Sequence, residues 1–67
     1  MRKTAFPKEV VAGLLKNGFI LSRQKGSHAI YKHQTGKWTI VPMHNKELKR
    51  ATFHTILKQS GLKREDF

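Results

Sequence analysis

The sequence predicts an α+β fold of order α-β-β-β-α, a three-stranded antiparallel sheet with two helices on one face. Three observations lead there. Apolar residues near each end recur at helical spacing, the middle breaks into short β-prone runs, and turns bearing glycine separate those runs.

The first helix is expected over Phe6–Asn17, where Val10, Val11, Leu14 and Leu15 fall at i, i+1, i+4 and i+5 and so form one stripe. Pro7 suits its first turn, because an N–H missing there would have had no helical acceptor. Asn17-Gly18 stops it: Gly18 can take the left-handed conformation, and Phe19 is placed to fold back. Strands are expected over Phe19–Gln24, His28–Lys32 and Lys37–Pro42, joined by Lys25-Gly26-Ser27 and His33-Gln34-Thr35-Gly36. Loops of that length pair Gln24 with His28 and Lys32 with Lys37. Alternation then turns Phe19, Leu21, Ala29, Tyr31, Trp38 and Ile40 toward the helices, and Ile20, Ser22, Gln24, His28, Ile30, Thr39 and Val41 away from them. A slip of one residue would reverse that sorting. A polar connection, Met43–Arg50, leads to Thr52, the expected N-cap of a second helix with Phe53, Ile56 and Leu57 on one side. Gly61 in Ser60-Gly61-Leu62 ends that helix, and Lys63–Phe67 either adds a turn or frays. Double-stranded-RNA-binding folds share this layout.

Of 67 residues, 14 are Lys or Arg and 4 are Asp or Glu, a formal net charge of +10. A chain of this length is expected to form one domain, residues 1–67, since it buries only about 60% of its unfolded surface and cannot be divided further. The absence of cysteine excludes disulfides and Cys-based zinc sites and fits a reducing cytoplasm. Runs such as Val10-Val11-Ala12 fall far short of the ~18 apolar residues of a membrane span, and no secretory segment follows Met1. The expected protein is therefore soluble and cytoplasmic. Its charge steers it toward polyanions, whether RNA, DNA, an acidic membrane or an acidic protein.

The most informative stretch is Arg23-Gln24-Lys25-Gly26-Ser27-His28. It holds what a phosphate-handling turn would contain. Gly26 lets the backbone approach a ligand, Arg23 and Lys25 supply charge for phosphate oxygens, and His28 can exchange a proton near neutral pH. The same residues also describe a plain hairpin turn with solvated charges and a surface histidine, and spacing alone favours that plainer use.

Read in order, the chain resembles the HicA family of bacterial and archaeal toxins, RNA-cleaving partners of HicB antitoxins. The matching residues are Leu14-Leu15-Lys16-Asn17-Gly18-Phe19, Arg23-Gln24-Lys25-Gly26-Ser27-His28 with Tyr31, Val41-Pro42-Met43-His44, Glu47-Leu48-Lys49, and Ile56-Leu57-Lys58-Gln59-Ser60-Gly61-Leu62. Ala51 departs from the pattern, which has glycine there. The resemblance implies an endoribonuclease that cleaves messenger RNA to arrest translation; with no cysteine and with scattered histidines, no metal or other cofactor is expected. The resemblance carries the catalytic histidine of Gly-Ser-His onto His28. It also implies an RNA partner and a HicB-like antitoxin that covers His28, the free toxin being a monomer and the complex a hetero-oligomer.

Around His28, the expected RNA-binding residues are Arg23, Lys25, Gly26 and Ser27, with His44 and Lys46 beyond the third strand. His44 is the first candidate for a second proton donor, and a hydrogen bond anchoring its loop is the plainer use. His33 and His54 are expected at the surface. Trp38 and Tyr31 could stack on unpaired bases, although pairing in the core is the favoured use of both. A non-catalytic RNA-binding module is the alternative reading, and DNA binding is a third.

Overall fold

A computed structural model of the chain describes residues 4–67. The elements are α1 (Pro7–Lys16), β1 (Phe19–Lys25), β2 (His28–His33), β3 (Trp38–Pro42), α2 (Arg50–Ser60) and a short 3₁₀ turn over Arg64–Asp66. The expected α-β-β-β-α order holds, and the sheet is an antiparallel meander with β2 in the middle. Among the described residues, no helix is long and apolar enough to cross a membrane.

Helix α1 starts at Pro7 behind an extended Phe6, whose N–H donates to Glu9 Oε1 at 2.9 Å. This is half of a capping box, because the phenyl ring of Phe6 cannot return a hydrogen bond. Glu9 in the first turn and Lys16 in the last complement the helix dipole. At the far end the Asn17 side chain donates to the Gly13 carbonyl at 2.8 Å, and Gly18 turns the chain at φ 89°. Val10, Gly13 and Leu14 are buried, whereas Leu15, expected in the same stripe, is exposed.

The strands depart from expectation in register. Pairing of β1 with β2 runs as expected from Phe19↔His33 to Leu21↔Tyr31, and then a bulge at Ser22 moves it by one, giving Arg23↔Ile30, Gln24↔Ala29 and Lys25↔His28. The loop is thereby shortened to Gly26-Ser27. Gly26 has φ 58° and Ser27 does not have positive φ, the pattern of a two-residue hairpin turn with glycine first. Between β2 and β3 the loop is also one residue shorter than expected. The His33 N–H donates to the Lys37 carbonyl at 2.8 Å and the Gly36 N–H to the His33 carbonyl at 2.9 Å, with Gly36 left-handed at φ 100°. Such a three-residue loop sets Lys32 opposite Trp38 rather than Lys37, and it inverts every side chain of β3.

The core therefore receives Phe19, Ala29, Tyr31, Thr39 and Val41 from the sheet, while Trp38 and Ile40, expected inside, lie exposed on the open face. Leu21 keeps the expected face but sits on edge strand β1 and is about half exposed. Against the sheet pack Val10 and Leu14 of α1 and Phe53, Ile56 and Leu57 of α2. The buried Thr39 hydroxyl donates to Gln59 Oε1 at 2.9 Å, tying β3 to α2.

Helix α2 begins at Arg50, two residues before the expected cap at Thr52, and Lys49 precedes it without a side-chain cap. Its end is as expected, with Gly61 at φ 74° donating its N–H to the Leu57 carbonyl. The connection before it is less polar than its composition implied. Leu48 is buried there, and its N–H donates to the Ala5 carbonyl at 2.9 Å. The C-terminal residues form the additional turn, and the Phe67 ring meets Phe53 edge-on at 5.6 Å.

Candidate functional site at the β1–β2 turn

Ala29 and Tyr31 face the core, so alternation along β2 turns His28, Ile30 and Lys32 to the open face of the sheet. The bulge at Ser22 decides what stands beside them. After it, Arg23 and Lys25 fall opposite Ile30 and His28 and share their face. His28 lies at the end of β2 with Lys25 directly across from it, and both are exposed. The His28 ring has no hydrogen-bond partner among the described residues, so both ring nitrogens are open to a ligand.

The turn itself is braced. Gln24 Nε2 donates to the Gly26 carbonyl at 3.2 Å, and the Met43 N–H donates to the Ser27 carbonyl at 2.5 Å. A Cβ at Gly26 would meet nothing within 4 Å, so glycine serves the left-handed backbone there and leaves the outer side of the turn open. The Ser27–Met43 bond, with His28 opposite Pro42, brings the Gly-Ser-His turn against the Pro-Met-His segment. His44 follows immediately. Its Nδ1 accepts the Lys46 N–H at 3.3 Å, which anchors the loop and keeps the proton of the neutral ring on Nε2.

Arg23, Lys25, Gly26, Ser27 and His28 thus form one exposed patch, with His44 and Lys46 on the adjoining segment. No Asp or Glu occurs between Phe19 and Pro42, so the patch and the whole sheet are purely basic. The four acidic residues lie on α1, the connection and the C-terminal turn. Two other histidines stand apart. His33 packs on Phe19 with ring centroids at 5.0 Å, and its Nδ1 holds the β2–β3 turn through Thr35, so it is more embedded than a surface residue. His54 is exposed on α2. Among the described residues, no group of three or more His, Asp or Glu gathers as metal ligands would.

Two features were missed by sequence reasoning. The bulge has no signal in the alternation of β1, and the exposure of Trp38 followed from a loop whose signal, Gly36, is compatible with three residues as well as four. A family model described as HicA toxin of bacterial toxin-antitoxin matches residues 7–62, from the start of α1 to just past α2. No curated protein matches the chain.

Proposed function

The chain belongs to the HicA toxin family of bacterial toxin-antitoxin systems, and from that premise we propose that it is a metal-independent endoribonuclease of messenger RNA, held inactive by a HicB-like antitoxin. The observation that carries the reading is the exposed His28 with Lys25 opposite it and Arg23 on the same face. Cleavage of RNA without metal needs a base for a ribose 2′-hydroxyl, positive charge around the phosphorus and a proton for the departing oxygen.

His28 takes the 2′-hydroxyl proton. The 2′-oxygen bonds to phosphorus, the bond from phosphorus to the 5′-oxygen breaks, and a 2′,3′-cyclic phosphate forms. The 5′-oxygen leaves with a proton from a second donor, for which His44, on the segment tied to the turn, is the candidate; it acts as the imidazolium, whose Nδ1 no longer accepts the Lys46 N–H, and the transfer leaves its ring neutral. Lys25 and Arg23 balance the charge that builds on the non-bridging oxygens. Gly26 leaves room for the phosphate to approach the backbone, Ser27 can donate its hydroxyl, and Lys46 extends the basic surface.

A partner that covers His28 abolishes the activity, and acidic residues at that contact would speed its association with a +10 chain. Such a protein works in the cytoplasm, where its RNA is, and is a monomer when free. The test is to incubate the purified protein with a long RNA in EDTA and analyse the ends. Fragments ending in 2′,3′-cyclic phosphate support the reading, and intact RNA refutes it in favour of a non-catalytic RNA-binding module.

A further inference from the structure

Beyond Arg23, Lys25 and His28, the open face of the sheet carries apolar residues and a further cation, Lys32, that the chemistry at His28 does not use. Register orders it into rows across the three strands. Ile20, Lys32 and Trp38 form one end row, Arg23, Ile30 and Ile40 the middle, and Lys25, His28 and Pro42 the other end. Ile20 is 67% exposed and Trp38 48%, so neither helix nor loop shields them. Arg23, Ile30, Lys32 and Trp38 line a groove of ≈ 440 Å³ on this face.

An exposed tryptophan beside isoleucines calls for an occupant with flat apolar surface, and the cations of each row call for an anion that repeats along the same direction. With no acidic residue anywhere on the sheet, nothing offsets that charge. Single-stranded nucleic acid meets both demands at once, because its bases stack on aromatic rings while its phosphates track basic side chains. A duplex does not, since its base faces are already stacked on one another. From the row of Trp38 to that of His28 is four residues of strand, about 13 Å. A few extended nucleotides would span it.

Building on the nuclease reading, we infer that the open face is a platform for an unpaired RNA segment, with Trp38 stacking on a base, Arg23 and Lys32 holding its phosphates, and the chain running on to His28. This makes Trp38 a binding residue remote from the bond that is cut, and it makes unpaired RNA the preferred substrate.

Trp38 is the chain's single tryptophan, so its fluorescence reports the contact directly. The probe is a 2′-O-methylated oligoribonucleotide, which has no 2′-hydroxyl to deprotonate, offered single-stranded and as its duplex at fixed salt. The single strand should quench Trp38 to saturation and the duplex should not. Trp38→Ala should weaken single-strand binding roughly ten-fold, and Trp38→Phe should restore most of it. Because the ring lies outside the core, circular dichroism of Trp38→Ala should match the wild type. Oligonucleotide bound with unchanged fluorescence, and with wild-type affinity in Trp38→Ala, would overturn the platform and leave the face to a protein partner. Cleavage of unmodified RNA is scored in parallel. Quenching without cleavage would sink the nuclease reading and keep the platform, whereas cleavage without quenching would do the reverse.

Discussion

Ser22 has no partner on β2, and this one unpaired residue brings Arg23 and Lys25 to the face of His28. The residue types of the site were legible in the sequence because Gly-Ser-His and its basic neighbours are contiguous. Their common face was not, since a bulge leaves no mark on composition. The two cations carry separate expectations. Lys25→Ala and Arg23→Ala should each weaken RNA binding at every sequence tested and lower the slope of log affinity against log salt by about one. A titration from low to moderate salt checks both, and an unchanged slope would remove the residue from the phosphate contacts. Gly26→Ala tests the turn separately. With open space around the new Cβ, only the left-handed backbone resists it, at a cost of about 1–2 kcal/mol read by urea unfolding.

Element boundaries followed the sequence where a local signal was strong, as at Pro7, Gly18 and Gly61, and strayed where it was weak. Thr52 looked like a cap, but α2 reaches back to Arg50, because burial of Leu48 and Phe53 sets its entry rather than a side-chain hydrogen bond. Strand β3 was inverted by one loop residue, which moved Trp38 and Ile40 outward and Thr39 and Val41 inward. The seating of the C-terminal turn on α1 gives a prediction at this scale. A Cβ at Gly13 would lie 2.4 Å from Phe67 Cδ1 and 2.9 Å from the Asp66 carbonyl oxygen. Gly13→Ala should therefore destabilise the protein despite the better helix propensity of alanine. In a Phe67→Ala background, where the ring is gone and only the Asp66 carbonyl still crowds the new Cβ, the same change should cost less. Equal effects in both backgrounds would show that the ring does not press on α1.

A chain of 67 residues closes on a small core under a net charge of +10, and both facts govern its stability. Phe53 is fully buried between α2, the sheet and Phe67. Its truncation to alanine should cost about 3–5 kcal/mol, against a total of roughly 3–10 kcal/mol for a chain this long. Phe53→Ala should thus lose roughly a third or more of the total, read as a lowered midpoint of urea unfolding by circular dichroism. Added salt screens the self-repulsion of the free protein and competes with phosphate contacts, so it should raise Tm while weakening RNA binding. A helical α+β chain with a strong positive field was legible at this scale from charge and periodicity alone. Among the polyanions that the charge leaves open, the function proposed for His28 selects RNA that is cut. The direct measurement is cleavage of a long RNA in EDTA by the wild type and by His28→Ala, with RNA affinity of both determined at the same salt. The account predicts that the substitution slows cleavage by 10²-fold or more, on the order expected for a lost general base, and leaves affinity within about two-fold. Cleavage by His28→Ala at the wild-type rate, or by neither protein while both bind, would contradict it.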